Sequence, residues 1–544
     1  MGLALLLTAA GAFRSLAQNN FSPAALPTRP LMPALSVPEG VRGEAAITAL
    51  GDQLPAVAAH YRKTETELRA VLRRDHDLRL DATGRLAYSC AGLLVAPGDP
   101  ETAEDEPLPE PLAPLDQTFL LHSKPDSTKK IFLDFDGHVL TNNAWTKNYN
   151  NGANIVAPPW SKDNDPTTFN TEEQTIIQQI WLRVAEDYAP FDVDVTTEYP
   201  GEAALTRSNS ADNNYGIRAL VSPISSYIGN YGGIAYVGVF DSTGDNYKPA
   251  LIFPEKLSNN EKNIAEAISH EVGHTLGLSH DGTSTKEYYS GHNNWAPIMG
   301  TGYSKPITQW SRGEYADASN TQDDYVVMQQ NGLVYRVDAH GDNFSLATWL
   351  SGVDSTNTGR LERAGDLDFF AFESSAGSAK FTVGTWERGP NVHFLLKLYD
   401  AQHTLLVSQQ TADLSTGVQP VVVQRTLAAG TYYLSLEGVG SGDPMTTGYS
   451  SYGSCGNYTL TVKLPDPPAV ATTPAALTWS VSNGVLEISW PSDHTGWRLE
   501  AQTNPPGTGV GSSWQNVAGA TATNRVFIPY EPAAGSVFFR LVYP

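Results

Sequence analysis

Cysteine is nearly missing from this sequence. The 544 residues hold two, Cys90 and Cys455, so disulfides do not carry the fold, and the two lie in segments of different pattern, which argues against a bridge between them. Positive charge is also short. Against 35 lysines and arginines stand 58 acidic residues, for a formal net charge of −23 and a pI near 4.8. That balance excludes nucleic acid or an anionic membrane as the main partner, since both require clustered Lys and Arg. No apolar run is long enough to span a bilayer. The apolar stretch over residues 3–10, followed by "SLA" at residues 15–17, has the length and small-residue ending of an export signal. Residues 1–17 are therefore expected to be a signal peptide and the mature protein to be secreted.

What is present is ample core material: 41% hydrophobic and 10% aromatic residues, too much for a disordered chain and too long a chain for one core. Residues 18–116 read as a pro-segment and linker. "EAAITALGDQLPAVAAHYRKTETELRAVLRRDHDLRL" has helical spacing, with Leu68, Val71 and Leu72 on one stripe, and "GRLAYSCAGLLV" is strand-like. "APGDPETAEDEPLPEPLAPLD" is acidic and proline-rich, the composition of an exposed linker.

Residues 117–336 alternate between strand and helix patterns. Asn170 and Glu173 form a capping box before a helix with Ile176, Ile180 and Val184 in phase. "FDVDVTTEYP", "GIRALVSPI", "YGGIAYVGVF" and "PALIFPEKL" read as strands. Beyond residue 337 the helical pattern gives way to short strands separated by Gly-, Ser- and Asp-rich turns, a sandwich pattern over 337–465 and a smaller one over 470–544. The expected architecture is multidomain α+β: an α/β catalytic domain followed by two all-β sandwiches.

The chemistry concentrates in "HEVGHTLGLSHD" at residues 270–281. Ile264, Ile268, Val272 and Leu276 are four apart and form the core stripe of a helix. His270 and His274 share another face, so both imidazoles can reach one ion. Gly277 follows where a helix end wants positive φ, and the turn brings His280 round as a third ligand. Three nitrogens with one open position is the catalytic arrangement for zinc. A water there has its pKa lowered towards about 7, and Glu271 is placed to take its proton.

This pattern resembles the metzincin metallopeptidases, whose HExxHxxGxxH motif is matched at every fixed position. The resemblance implies a methionine turn beneath the zinc, and Met299 in "APIMGTGY" fits it. Asp281 directly after the third histidine is similar to the reprolysin branch, although that branch's cysteines are absent. In other branches a tyrosine two residues after the methionine assists at the metal. Tyr303 is four residues after Met299, so that role does not carry over by position, and packing against the pocket wall is the plainer expectation. The resemblance also implies substrate paired antiparallel to an edge strand, here "YGGIAYVGVF" at residues 231–240. In some metzincin zymogens a pro-segment cysteine closes the zinc; Cys90 could do so, yet "YSCAGL" does not match the known switch motif, and a buried apolar thiol is the alternative. "GDLDFFAFE" and "LAAGTYYLSLEG" resemble the bacterial pre-peptidase C-terminal domain, and the last segment is similar to fibronectin- or immunoglobulin-type sandwiches. Asp366 and Asp368, or Asp241 and Asp245, are candidates for structural Ca2+, with solvated turn acids as the alternative.

The reading at this stage is a secreted zinc endopeptidase made as a zymogen. One Zn2+ is held by His270, His274 and His280, Glu271 is the base, and a protein or peptide is the substrate. The sandwiches are candidates for binding extracellular matrix or a surface. The competing reading is a secreted adhesin with a degenerate peptidase domain, against which the intact Glu271 counts.

Overall fold

The computed structural model of the chain describes residues 29–95, 110–386, 388–411, 414–415, 417–466, 470–482, 484–529 and 535–543. The expected signal peptide and most of the acidic linker lie outside the described residues. Among those described, no helix is long and apolar enough to cross a membrane.

The continuous helical spacing of the N-terminal segment breaks into three short helices: α1 (Gly43–Leu50), α2 (Leu54–His60) and α3 (Glu65–Arg74). Gly51 ends the first at φ 45°, Pro55 opens the second, and Thr64 with Glu67 caps the third through a reciprocal box. Leu68, Val71 and Leu72 are buried as their spacing predicts. Two strands follow, β1 (Leu78–Leu80) and β2 (Leu86–Cys90).

These two strands join a sheet built mainly by the next segment. It contributes β3 (Lys129–Asp134), β4 (Asp194–Thr196), β5 (Tyr215–Val221), β6 (Gly233–Tyr236) and β7 (Ala250–Ile252). The order across the sheet is β1-β2-β6-β7-β5-β3-β4. β3, β4, β5 and β7 run parallel, while β6 is antiparallel to β7 and takes β2 antiparallel on its other side. "FDVDVTTEYP" thus yields only a three-residue strand, because "EYP" turns away into a short helical turn at Glu202–Leu205.

Two long helices pack on this sheet, α4 (Thr171–Asp187) and α5 (Glu261–Thr275). Asn170 and Glu173 form the expected capping box of α4, with Ile176, Ile180 and Val184 buried. The linker's described end is not free: Ala113 N donates to Gln178 Oε1, and Gln178 Nε2 donates to Thr118 Oγ1, on α4.

The two sandwiches differ in what they bury. The first packs a five-stranded sheet on a four-stranded one, with Phe370, Phe372, Phe381, Leu396, Leu434 and Leu460 closed from solvent. It is keyed to α4, where Asn457 N and Nδ2 donate to the Glu186 carboxylate and Asn391 Nδ2 donates to Asp187 Oδ1. The second pairs two three-stranded sheets over a small buried centre of Ile488, Trp490, Leu499 and Ala520. Cys90 and Cys455 are both buried free thiols.

Candidate metal centre

α5 starts at Asn260, whose side chain accepts from Asn263 N, and buries Ile264, Ile268 and Val272 against the sheet. It ends at Thr275, and Gly277 just beyond takes φ 94°. A side chain there would be strained, and the resulting turn carries His280 back towards the helix. The three histidine rings then lie 4.7 to 5.2 Å apart between centroids.

The second nitrogen of each ring is already engaged. Nδ1 of His270 meets Ile298 O at 3.0 Å, Nδ1 of His274 meets Leu278 O at 2.9 Å, and Nδ1 of His280 meets Glu287 Oε1 at 2.8 Å. All three partners are acceptors, so each Nδ1 carries the proton and each Nε2 presents a lone pair. Burial holds His270 down to about 3 and His274 well below its ordinary range, leaving neutral imidazoles, the form that binds a metal. His270 Nε2 is buried with no hydrogen-bond partner.

Cys90 completes the cluster. One donor atom from each of Cys90, His270, His274 and His280 lies within 4.8 Å of the others. Cys90 Sγ is 3.4 Å from His274 Nε2 and 3.6 Å from His280 Nε2. Zinc–sulfur and zinc–nitrogen bonds of ~2.3 and ~2.0–2.1 Å at tetrahedral angles give an S···N edge of roughly 3.6 Å. The donor set therefore fits zinc with its fourth position closed.

Glu271 faces the same space from the edge strand's side. Both its carboxylate oxygens are buried without a hydrogen bond, and burial holds its pKa well above the carboxylate range. A Cβ on Gly233 would fall 2.4 Å from Glu271 Oε1, so the glycine is what lets β6 pass this close. Met299 lies under the helix, fully buried. A Cβ on Gly273 would meet Met299 Sδ at 2.7 Å.

Asp281 ties this floor to the motif. Its amide donates to Met299 O at 2.9 Å, Asn320 Nδ2 donates to its Oδ1 at 3.3 Å, and burial pushes its carboxyl up to about 7. Tyr303 is buried outside the donor cluster, and its hydroxyl donates to Leu93 O at 3.1 Å. Its partner, Leu93, belongs to the N-terminal segment.

The strand expected to receive substrate is already paired. β2 runs antiparallel to β6 with Cys90 opposite Gly233, Ser89 opposite Ile234 and Tyr88 opposite Ala235. The N-terminal segment thus lies on the edge and places Cys90 beside the histidines in one register.

Five residues around the site, Glu287, Tyr288, His76, Asp77 and Tyr88, are not singled out by the sequence pattern. Glu287 holds His280 Nδ1 and also accepts from the His76 and Asp77 amides at 2.8 and 3.1 Å. Tyr288 OH donates to Asp77 Oδ2 at 2.7 Å, and Tyr88 stacks on His274 at 4.1 Å. Glu287 and Tyr288 sit in an irregular loop after the motif, where neither helix nor strand periodicity marks them. Among the described residues, Asp241 and Asp245 belong to no group of three or more possible metal ligands, and Asp241 is 2.9 Å from Arg29 of the N-terminal segment.

Residues 176–281 match the model of the reprolysin-like metallo-peptidase family M12B. This segment is reprolysin-like. It spans most of α4, the edge strand β6 and α5, and ends on Asp281. No curated protein matches the chain. Solved structures with similarity to it include the pre-peptidase C-terminal domain of a Bacillus anthracis collagenase, at 18% identity over 22% of this chain and 94% of that one, with a TM-score of 0.16. The lysozyme inhibitor PliG of Aeromonas hydrophila is similar at 11% identity over 22% of this chain and 96% of its own, also with a TM-score of 0.16. A surface-associated copper-binding protein of Methylomicrobium album follows at 8% identity over 22% and 98%, with a TM-score of 0.16.

Proposed function

We propose that the protein is an exported zinc endopeptidase, made as a zymogen whose own pro-segment strand closes the active site. The observation that carries this reading is the set of three Nε2 atoms facing one point, with the unpaired Glu271 carboxylate beside them. Bound zinc would supply Lewis acidity to the attacking water and to the scissile carbonyl.

The chain's own groups supply the remainder. His270, His274 and His280 hold the ion, each fixed in its tautomer by the acceptor at Nδ1. Glu271 takes a proton from water at a carboxylate oxygen and returns it to the leaving amine. Removal of the pro-segment frees the hydrogen-bonding edge of β6, on which an extended peptide pairs antiparallel, as β2 does in the latent form. Main-chain pairing gives affinity with little demand on sequence. The residues 301–310 after Met299 wall the pocket and set side-chain preference.

Latency follows from the fourth ligand. Cys90 would be the fourth residue holding a bound zinc, beside His270, His274 and His280, and would occupy the place a water needs. Burial, and then the nearby Glu271, push the Cys90 thiol well above its ordinary range. The thiolate is therefore stable there only with a cation beside it.

The test is zinc content and casein cleavage by the processed protein, beside its Glu271→Ala variant. Both should hold about one zinc, and only the parent should cleave. Zinc in both with cleavage by neither would favour a binding protein with a degenerate site. Absence of zinc from both would end the proposal.

A further inference from the structure

The first sandwich reaches the histidine centre from behind. Asn391 stands just before its strand Phe394–Asp400 and is 3% exposed. Two bonds leave this one residue, and each leads to His270. Asn391 Nδ2 donates to Asp187 Oδ1 at 3.0 Å, and the other oxygen of that carboxylate accepts from Ser269 Oγ at 2.6 Å. Ser269 directly precedes His270 on α5. On the other side, the Asn391 carbonyl accepts from Gln309 Nε2. The Gln309 carbonyl accepts from Ile298 N at 2.9 Å, and the Ile298 carbonyl is the acceptor that holds His270 Nδ1.

Burial gives these bonds no substitute. Gln309 is 1% exposed, Asp187 6% and Ser269 0%, so water does not replace a lost partner, and a buried group left unpaired is costly. Gln309 serves both modules: its Oε1 accepts from Trp295 Nε1 at 2.9 Å, and its Nε2 also reaches Ser454 Oγ of the sandwich at 3.4 Å. A Cβ on Gly453 would fall 2.6 Å from Gln309 Cβ and 2.8 Å from Trp310 O, so the sandwich backbone lies directly on this strand. Trp310 Nε1 donates to Asp187 O at 2.7 Å, which ties the two branches together.

Modules of one chain move against each other by default, across seams that resemble transient interfaces. A seam that only docks the sandwich has no need of bonds leading to a metal ligand. Asn457 shows the difference. It grips Glu186, the neighbour of Asp187, from the same sandwich, and among the described residues the Glu186 carboxylate accepts from Asn457 alone.

We infer that the first sandwich is part of the metal centre, with Asn391 and Gln309 as positioning residues that fix the ring of His270 for zinc. On the reading of the histidines as a zinc site, on which this rests, His270 Nδ1 must donate for Nε2 to face the ion. The acceptor it uses sits on a strand held by the sandwich, and the helix side is held by the same residue through Asp187. Loss of either branch lets the ring or the helix shift, and a ligand displaced by more than roughly half an ångström no longer matches the productive geometry. The sandwich is therefore not an accessory that can be removed with the metal centre left unchanged.

The test is competition for zinc between a chelator and the intact chain, with a melting scan of the same samples. Asn391→Ala and Gln309→Met each remove one branch, while Asn457→Ala loosens the seam and touches neither. All three should lower the melting midpoint. Only the first two should weaken zinc, each about tenfold, at the lower end of what loss of an outer-shell partner costs. Gln309→Met keeps the side chain's bulk, so it decides the question even where Asn391→Ala does not fold. Zinc affinity unchanged in Gln309→Met, or lowered as much by Asn457→Ala, would overturn the inference and leave the zinc site standing. A parent chain that binds no zinc would overturn both.

Discussion

The histidine centre and the acids around Asp366, at the entry to the first sandwich, contrast in donor chemistry. Both hold buried polar atoms that the protein leaves without partners: His270 Nε2 and Glu271 in the first, Glu362, Asp366 and Asp368 in the second. In the first, nitrogen and sulfur converge, and each imidazole is fixed by an acceptor at its far nitrogen. In the second, the carboxylates of Asp338, Asp342 and Asp366 converge, two of them on the chain leading into the sandwich. Nitrogen and sulfur suit a borderline-soft ion that does chemistry, and oxygen alone suits a hard one.

Substitution should confine the loss of zinc to the first group. The largest effect is expected for His274→Ala, which removes one of three nitrogens and should abolish peptide cleavage together with stoichiometric zinc. A pepsin-like or serine-type background activity would be seen as cleavage that survives both this change and chelation.

A smaller effect is expected one step out from the ion. Glu287→Gln keeps the shape but weakens the charge on His280 Nδ1, and should cost about 10–100-fold in zinc affinity, measured by competition with a chelator. The same change loosens the pro-segment, because Glu287 also accepts from the His76 and Asp77 amides. The variant chain should therefore be cut more readily in its linker than the parent.

The smallest effect concerns the seam between modules. Burial pushes Glu186, which accepts from Asn457 of the first sandwich, up to about 8. A carboxyl whose folded pKa is raised favours the protonated native state. Its contribution is full below the unfolded value near 4.5 and is lost as the pH rises through about 8. Unfolding midpoints followed by sandwich tryptophan fluorescence should fall across that window, and Glu186→Gln should flatten the fall.

How far each site could be read from the sequence follows from how its residues are spaced. The histidine ligands fall within residues 270–280 on one helix and its turn, so local periodicity alone placed His270, His274 and Gly277. Asp338, Asp342 and Asp366 are further apart in the sequence and meet through the fold, where Gly341 is bridged to Phe369. From the pattern Asp366 and Asp368 could be suspected, but Asp338, Asp342 and Glu362 could not.

The pro-segment shows the same division. Leu68, Val71 and Leu72 disclosed a buried helical stripe, yet nothing in "YSCAGL" disclosed that β2 would extend the sheet across β6. That pairing is a long-range register, set by Cys90 facing Gly233, and sequence periodicity carries no register between distant strands. Glu287 was hidden for a related reason: it acts from an irregular loop, on His280, His76 and Asp77, which only the fold brings to it.

The central claim is that Cys90 closes a zinc site built by His270, His274 and His280. The most direct measurement is zinc K-edge X-ray absorption on the intact, unprocessed chain and on its Cys90→Ser variant. The account predicts one sulfur at ~2.3 Å with three nitrogens at ~2.0–2.1 Å in the parent, and loss of the sulfur with gain of peptide cleavage in the variant. Zinc bound only by nitrogen and oxygen in the parent, or a Cys90→Ser chain as latent as the parent, would contradict it.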